Sequence, residues 1–173
     1  HFDQVIQDPR VMPHLHLSIQ AGDNMILKRM KRRHNADDVR NFVQRCRSLR
    51  KDITFGADII AGFPTETEEM FYNTYKLLKE CKISHLHIFP FSPKENTPAA
   101  RMPQLQKSII KQRAQKLRQL GEELLDEVKK EFYLPRKVLI EEVKTGAVVG
   151  YDQNYIKHRI PMIGLPIGEI VTA

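Results

Sequence analysis

Three short stretches of strand pattern, residues 15–20, 53–61 and 85–90, are separated by segments that read as helices, and this order limits the fold more than any other feature. Leu15-His16-Leu17-Ser18-Ile19-Gln20 alternates apolar and polar residues with period two, and so does His85-Leu86-His87-Ile88-Phe89. Connections of this length that carry helices oblige the strands to run parallel, with right-handed crossovers. Asn24 or Asp23 can cap a short helix carrying Ile26 and Met30, and Asn35 caps a second with Val39, Phe42, Val43, Cys46 and Leu49 at helical spacing. Thr65 and Glu68 read as a capping box that opens a third, with Phe71, Tyr75 and Leu78 on one side and Met70, Leu77 and Cys81 adjoining. Prolines keep residues 91–103 a loop. A long helix is expected from Gln104 to about Phe132, with Ile109, Leu117, Leu120, Leu124, Val128 and Phe132 on one stripe. Beyond Pro135 the character changes. Residues 137–143 and 151–158 are β-rich and punctuated by Gly146 and Gly150, the pattern of a small β-barrel.

Length allows one ordinary domain or one and a half small ones, since the chain has 173 residues. No apolar run reaches bilayer-spanning length, and no signal-peptide pattern opens the chain, so no membrane partner is expected. The sequence starts without Met, and residues 168–173 read as a strand stopped in mid-course, so it reads as a piece of a longer protein. Cys46 and Cys81 lie far apart on helical patterns; they are expected to be buried free thiols, with no metal or redox spacing, in a cytoplasmic protein. The net charge of +7 is clustered at residues 28–33 and again at Lys107, Lys111, Arg113, Lys116 and Arg118. Such patches attract polyanions, the alternative being a solvated face. The second cluster sits in the first half of its helix, where it opposes the macrodipole, which favours a partner over stability as its reason.

The strand faces carry the chemistry. Leu15, Leu17 and Ile19 share one face of the first strand, with His16, Ser18 and Gln20 on the other. In the third strand Leu86 and Ile88 oppose His85, His87 and Phe89; in the middle strand Asp58 shares a face with Ile60 and Gly62. A polar face on parallel strands suggests a partial barrel around a polar ligand, because parallel sheets are seldom left in water. Asp58 lies near the carboxyl end of its strand, where α/β proteins bind ligands. It must be paired or hydrogen-bonded there, either as part of a site or to tie down the next loop. His16 and His87 stand on separate strands without metal-ligand spacing, so no metal site is expected from them.

Four segments then stand in order: 14–22 (His14-Leu15-His16-Leu17-Ser18-Ile19-Gln20-Ala21-Gly22), 27–33 (Leu27-Lys28-Arg29-Met30-Lys31-Arg32-Arg33), 58–68 (Asp58-Ile59-Ile60-Ala61-Gly62-Phe63-Pro64-Thr65-Glu66-Thr67-Glu68), and Phe89-Pro90-Phe91-Ser92-Pro93 with Thr97-Pro98-Ala99-Ala100. Together they resemble the radical S-adenosylmethionine methylthiotransferase family across nearly the whole chain. Residues 85–93 and 150–157 are most similar to the branch that acts on N6-threonylcarbamoyladenosine beside the tRNA anticodon. The branches acting on isopentenyladenosine in tRNA and on a ribosomal-protein aspartate are rivals, and a non-catalytic RNA-binding module is a reading of another class.

The resemblance implies an α/β fold: the C-terminal half of a partial (β/α) barrel over residues 1–103, a linking helical segment over 104–135, and a truncated TRAM-like RNA-binding barrel over 136–173. It implies S-adenosylmethionine, two [4Fe-4S] clusters in the full-length protein, tRNA and an electron donor. Carried over by position, Ser18, Gln20, Arg33, Asp58, Gly62 and Phe89 are candidates for cofactor contacts, Gly62 by letting the cofactor approach the backbone. Arg32 or Arg33 suits a cofactor carboxylate or, equally, tRNA. Lys31, Arg32, Lys111, Arg113, Lys137, Tyr155 and Lys157 are candidate RNA contacts, with Lys144, Tyr151, Asn154 and Arg159 beside them. The family's Cys-x-x-x-Cys-x-x-Cys is absent, so the cluster ligands are expected outside this chain, which should be inactive alone. Thr65 replaces a frequent glycine of the family, and Glu95-Asn96 replaces a Pro-Gly turn.

Overall fold

One-sided burial organises the larger layer. The computed structural model describes residues 1–132, 135–161 and 164–172; Tyr133 and Leu134 of the expected linking segment, and Met162, Ile163 and Ala173 of the expected small barrel, lie outside the described residues. In chain order the first elements are α1 (Phe2–Gln7), β1 (His14–Gln20), α2 (Asn24–Arg29), α3 (Ala36–Leu49), β2 (Thr54–Ala61), α4 (Glu68–Glu80), β3 (His85–Pro90) and α5 (Lys107–Glu131), with a 3-10 turn at Pro98–Arg101. The three strands pair parallel in the order β1-β2-β3, as the connection lengths require. Phe55, Ala57, Ile59 and Ala61 of β2 are essentially fully buried under Val43, Cys46, Leu77, Leu78, Leu117 and Leu120 from α3, α4 and α5. Both cysteines are buried free thiols, as expected.

The helix starts follow capping chemistry. Asp23 rather than Asn24 caps α2, its Oδ1 accepting from the amides of Met25 and Ile26, while Asn24 accepts from the amide of Ala36 and ties α2 to α3. Asn35 and Asp38 form a reciprocal capping box on α3. The α4 cap differs from expectation: Thr67, not Thr65, accepts from the amide of Met70, because Thr65 is held in the turn at φ 69°. Along α5 the buried stripe is Ile110, Ala114, Leu117, Leu120, Leu124 and Val128, with Ile109 only half-buried. The helix begins three residues later than expected, and the small Ala114 holds an inward position that a search for large apolar side chains passes over. Helix α1 was not anticipated; it buries Ile6 and pairs Asp3 with Arg45 at 2.7 Å.

The second layer is antiparallel. Strands β4 (Lys137–Lys144), β5 (Ala147–Asp152), β6 (Lys157–Ile160) and β7 (Ile170–Thr172) pair in the order β6-β5-β4-β7 around Val138, Ile140 and Val148. The strand expected over 151–158 is interrupted. Residues 153–156 form a turn built on Asp152, whose Oδ1 accepts from the amides of Asn154 and Ile156 and whose Oδ2 lies within 3.1 Å of Arg136 Nε and His158 Nε2. Burial alone would raise the Asp152 carboxyl, but the Ile156 amide, Arg136 and His158 outweigh it and hold it below the usual range.

That turn bolts the two sheets together. Asn154 is 1% exposed, and its Nδ2 donates to the carbonyls of Pro13 and Asp52 at 3.1 and 2.6 Å. Thr54 donates to the Asn154 carbonyl at 3.0 Å, and His85 Nε2 lies 3.0 Å from the Tyr155 carbonyl. The surface role considered for Asn154 is therefore replaced by a structural one, since every polar atom it offers is spent inside the joint. His14 and His85 sit in the same joint. Burial, then the neighbouring His85 and His16, push His14 down to about 4; burial also lowers His85.

Two outcomes follow from the joint. Asn154→Ala leaves two buried carbonyls without this donor and should lower unfolding free energy by about 1–3 kcal/mol, read as a fall in the urea midpoint. A histidine whose folded pKa is depressed contributes full stability above its unfolded pKa and loses it as pH falls, because the unfolded chain then binds the extra proton. Stability should therefore decline between pH 6.5 and about 4 through His14, and His14→Gln should flatten that decline in urea titrations at stepped pH.

Candidate functional site

The face of the parallel sheet turned away from α3–α5 carries polar side chains from all three strands. Strand register sets His16 opposite Gly56, Asp58 opposite His87 and Ile60 opposite Phe89. His16 Nε2 lies 2.9 Å and His87 Nδ1 3.3 Å from the same oxygen, Asp58 Oδ1, and the two rings are 4.7 Å apart. Asp58 is thus paired, and it is part of a cluster rather than an anchor for the next loop. His16 and His87 stand on separate strands as expected, and parallel pairing brings together residues that no local spacing links. Only the register could have revealed it from sequence. Gly56 makes the cluster possible, because a Cβ there would lie 2.6 Å from His16 Nδ1 and 3.0 Å from the His85 carbonyl. A mid-strand glycine costs about 0.5–1 kcal/mol, so its presence in β2 reflects the room the His16 ring needs.

At the carboxyl rim Gln20 turns to φ 71° after a register shift between Leu17 and Gln20. Its Nε2 donates to Ser18 Oγ at 3.0 Å, which leaves the Gln20 carbonyl oxygen without a protein donor among the described residues. Beyond that shift Gln20 pairs with the buried Ile59 and is itself 9% exposed, whereas Phe89, 52% exposed, stands on the face of Asp58 and His87 near the end of β3. Gly62 is different. It takes φ +75°, and a Cβ would meet Ile110 of α5 at 2.7 Å, so helix packing fills the space that the sequence reading left for a cofactor.

The turn after β2 is held by a buried ion pair. Glu66 accepts from the Gly62 amide at 3.1 Å and from Arg113 Nη1 at 2.8 Å, and Arg113 Nη2 reaches Glu68 at 3.1 Å. Burial pushes the Glu66 carboxyl up, opposed by the Arg113 charge. Arg113, expected at an RNA surface, is 5% exposed and belongs to this pair, with its guanidinium also over the Phe71 ring. Lys116 lies 4.0 Å from Glu68 as well, so acids of the β2–α4 turn answer part of the cluster that looked unbalanced in sequence. Two left-handed residues, Thr65 at φ 69° and Asn96 at φ 63°, fall where the family pattern carries glycine. A β-branched residue held there stores about 1–2 kcal/mol.

The remaining cations lie outward. Lys28, Lys31, Arg32 and Arg33 are exposed, with no ion pair among the described residues, and Arg33 is not brought into contact with Gln20 or Asp58. Lys107, Lys111 and Arg118 line a cleft of about 470 Å³ with Phe91 and Pro93. Lys137 and Lys157 are exposed on the antiparallel sheet. Tyr155 stacks between His14 and Tyr151 at ring separations of 5.2 and 4.8 Å, and Lys157 sits 5.9 Å above the Tyr151 ring. Together with His16, His87 and Arg118 they border a second cleft of about 360 Å³.

Iron–sulfur ligation does not fit this chain. Its two cysteines are buried on α3 and at the end of α4, and burial raises both thiols, the opposite of what a thiolate ligand needs. Removing one partner of the Glu66–Arg113 pair strands a buried charge. Arg113→Ala should therefore cost about 3–5 kcal/mol in chemical denaturation, with or without RNA present.

Comparison with known proteins places these features. The Radical SAM superfamily model matches residues 6–78. The threonylcarbamoyladenosine tRNA methylthiotransferase MtaB of Rickettsia prowazekii is 47% identical over 172 residues, covering 99% of this chain and 40% of that protein. MtaB of Thermotoga maritima is 38% identical over 166 residues, covering 94% of this chain and 38% of that protein. The tRNA-2-methylthio-N(6)-dimethylallyladenosine synthase of Aquifex aeolicus is 37% identical over 144 residues, 82% of this chain and 33% of that protein. The chain spans about 40% of the length of the curated relatives it matches most fully. With the strand-end motifs and the parallel polar-faced sheet in place, the chain is similar over nearly its whole length to the corresponding part of tRNA methylthiotransferases, and residues 6–78 match the Radical SAM superfamily.

Proposed function

We propose that the chain is part of a tRNA methylthiotransferase that places a methylthio group on N6-threonylcarbamoyladenosine beside the anticodon. The observation that carries this reading is the open sheet face on which His16 and His87 meet Asp58, together with similarity to MtaB proteins over nearly the whole of this chain. S-adenosylmethionine, when bound and reduced, supplies one-electron chemistry, and iron–sulfur ligands and an electron donor come from outside these residues. The chain's own part is position. Asp58 spends Oδ1 on the two histidines, so Oδ2 offers an acceptor to a ribose hydroxyl or an ammonium group. The Gln20 carbonyl oxygen offers a second acceptor, and the exposed Phe89 ring offers a face for adenine. Arg32 or Arg33, exposed in the loop after α2, suits a cofactor carboxylate or, equally, tRNA.

In this reading residues 1–103 are the barrel part, 104–135 the link and 136–173 a TRAM-like module, in a cytoplasmic enzyme. No helix among the described residues is long and apolar enough to cross a membrane. Lys31, Arg32, Lys111, Lys137 and Lys157 supply phosphate contacts, and the Tyr155–Tyr151 stack suits an unpaired base.

In the full-length enzyme, Asp58→Ala should abolish turnover of S-adenosylmethionine and leave tRNA affinity intact; unchanged turnover would refute the role. Lys31→Ala should weaken tRNA binding by this chain and reduce the salt slope by about one, read by filter binding across a salt series. Mass spectrometry of tRNA nucleosides from a deletion strain identifies the substrate: loss of the methylthio group from threonylcarbamoyladenosine supports the reading, and loss from isopentenyladenosine overturns it.

A further inference from the structure

The geometry points to a divalent transition-metal site at His16, Asp58 and His87, a property beyond the reading above and independent of it. Each residue offers one ligand atom, and the three atoms lie within 4.8 Å of one another. A tetrahedral ion with bonds near 2.0–2.1 Å sets its ligand atoms about 3.3 Å apart. The His87 Nδ1 distance to Asp58 Oδ1, 3.3 Å, matches that spacing, and the His16 Nε2 distance, 2.9 Å, is a hydrogen-bond length that an ion would open by a few tenths of an ångström. Two imidazoles and one carboxylate suit zinc, cobalt or ferrous iron, not magnesium or calcium, which want more oxygen ligands.

Three observations separate this from a carboxylate that merely accepts hydrogen bonds. Both imidazoles converge on one oxygen, Oδ1, although the carboxylate has two to offer. The ligands come from three different strands on the open side of the sheet, so a fourth position faces the cleft bordered by His14, Tyr155 and Lys157 and stays available to an exogenous ligand. Gly56 gives the His16 ring its place at the cost of a side chain in the central strand. The two oxygens of Asp58 divide the work: Oδ1 serves the metal, and Oδ2 remains for an organic ligand.

The test titrates the 173-residue chain with Co²⁺ in a His1→Gln background, which removes chelation by the N-terminal imidazole. One equivalent should bind, with the intense visible bands of a tetrahedral site, and Zn²⁺ should displace it. His16→Gln, Asp58→Asn and His87→Gln should each weaken binding at least about tenfold, since even outer-shell changes cost that much at metal sites. Asp58→Asn keeps size and one acceptor oxygen, so circular dichroism matching the parent separates ligand loss from misfolding. Absence of Co²⁺ uptake, or uptake that Asp58→Asn leaves unchanged, overturns the site. Neither result bears on S-adenosylmethionine turnover in the full-length enzyme, so failure here and failure of the proposed function are distinguishable.

Discussion

Parallel pairing of β2 with β1 on one side and β3 on the other is the constraint on which the rest depends. It sets Asp58 between two histidines and aligns the carboxyl ends of three strands on one rim. The pairing is fixed because a slip of one residue would carry Phe55, Ala57, Ile59 and Ala61 to the open face and Asp58 into the apolar layer. At about 25 cal/mol per Å² of apolar area, moving Phe55 and Ile59 alone out of the core costs several kcal/mol, so the register is strongly held. The chemistry of the open face is thus positioned by the burial of the opposite one.

Rigidity at the edges of that face comes from two buried polar constructions. The Glu66–Arg113 pair pins the turn after β2 to α5, and the Asp152–Asn154 turn pins the antiparallel sheet to the amino ends of β1 and β2. Each is fully enclosed, so each would destabilise the fold if half of it were removed. They hold opposite ends of the parallel sheet and leave its polar face free between them. The exposed cations at residues 28–33 and on the antiparallel sheet lie outside both, where long-range attraction of a polyanion needs no fixed geometry.

Much of this was legible in the residues. Alternation assigned inward and outward side chains in β3 and in β1 as far as Ser18, failing at the buried Gln20 beyond the register shift, and Asn35 marked the start of α3. What escaped sequence reasoning has physical causes. The His16–Asp58–His87 cluster depends on register, which spans 42 residues between His16 and Asp58 and leaves no local signature. Arg113 looked like a surface cation because its partners, Glu66 and Glu68, lie on another element. Asn154 looked like a strand residue because its turn is organised by one aspartate side chain rather than by glycine or proline. Gly62 looked ligand-facing, yet Ile110 of a distant helix fills its space.

The central claim is that side chains from three strands meet at one carboxylate. Long-range proton–nitrogen NMR of the histidine rings, compared between the parent chain and Asp58→Asn, tests it most directly. The account predicts that the ring nitrogen shifts of both His16 and His87 move while those of His34, bonded to the Ile19 carbonyl, stay in place. Unchanged shifts at His16 and His87 would contradict it.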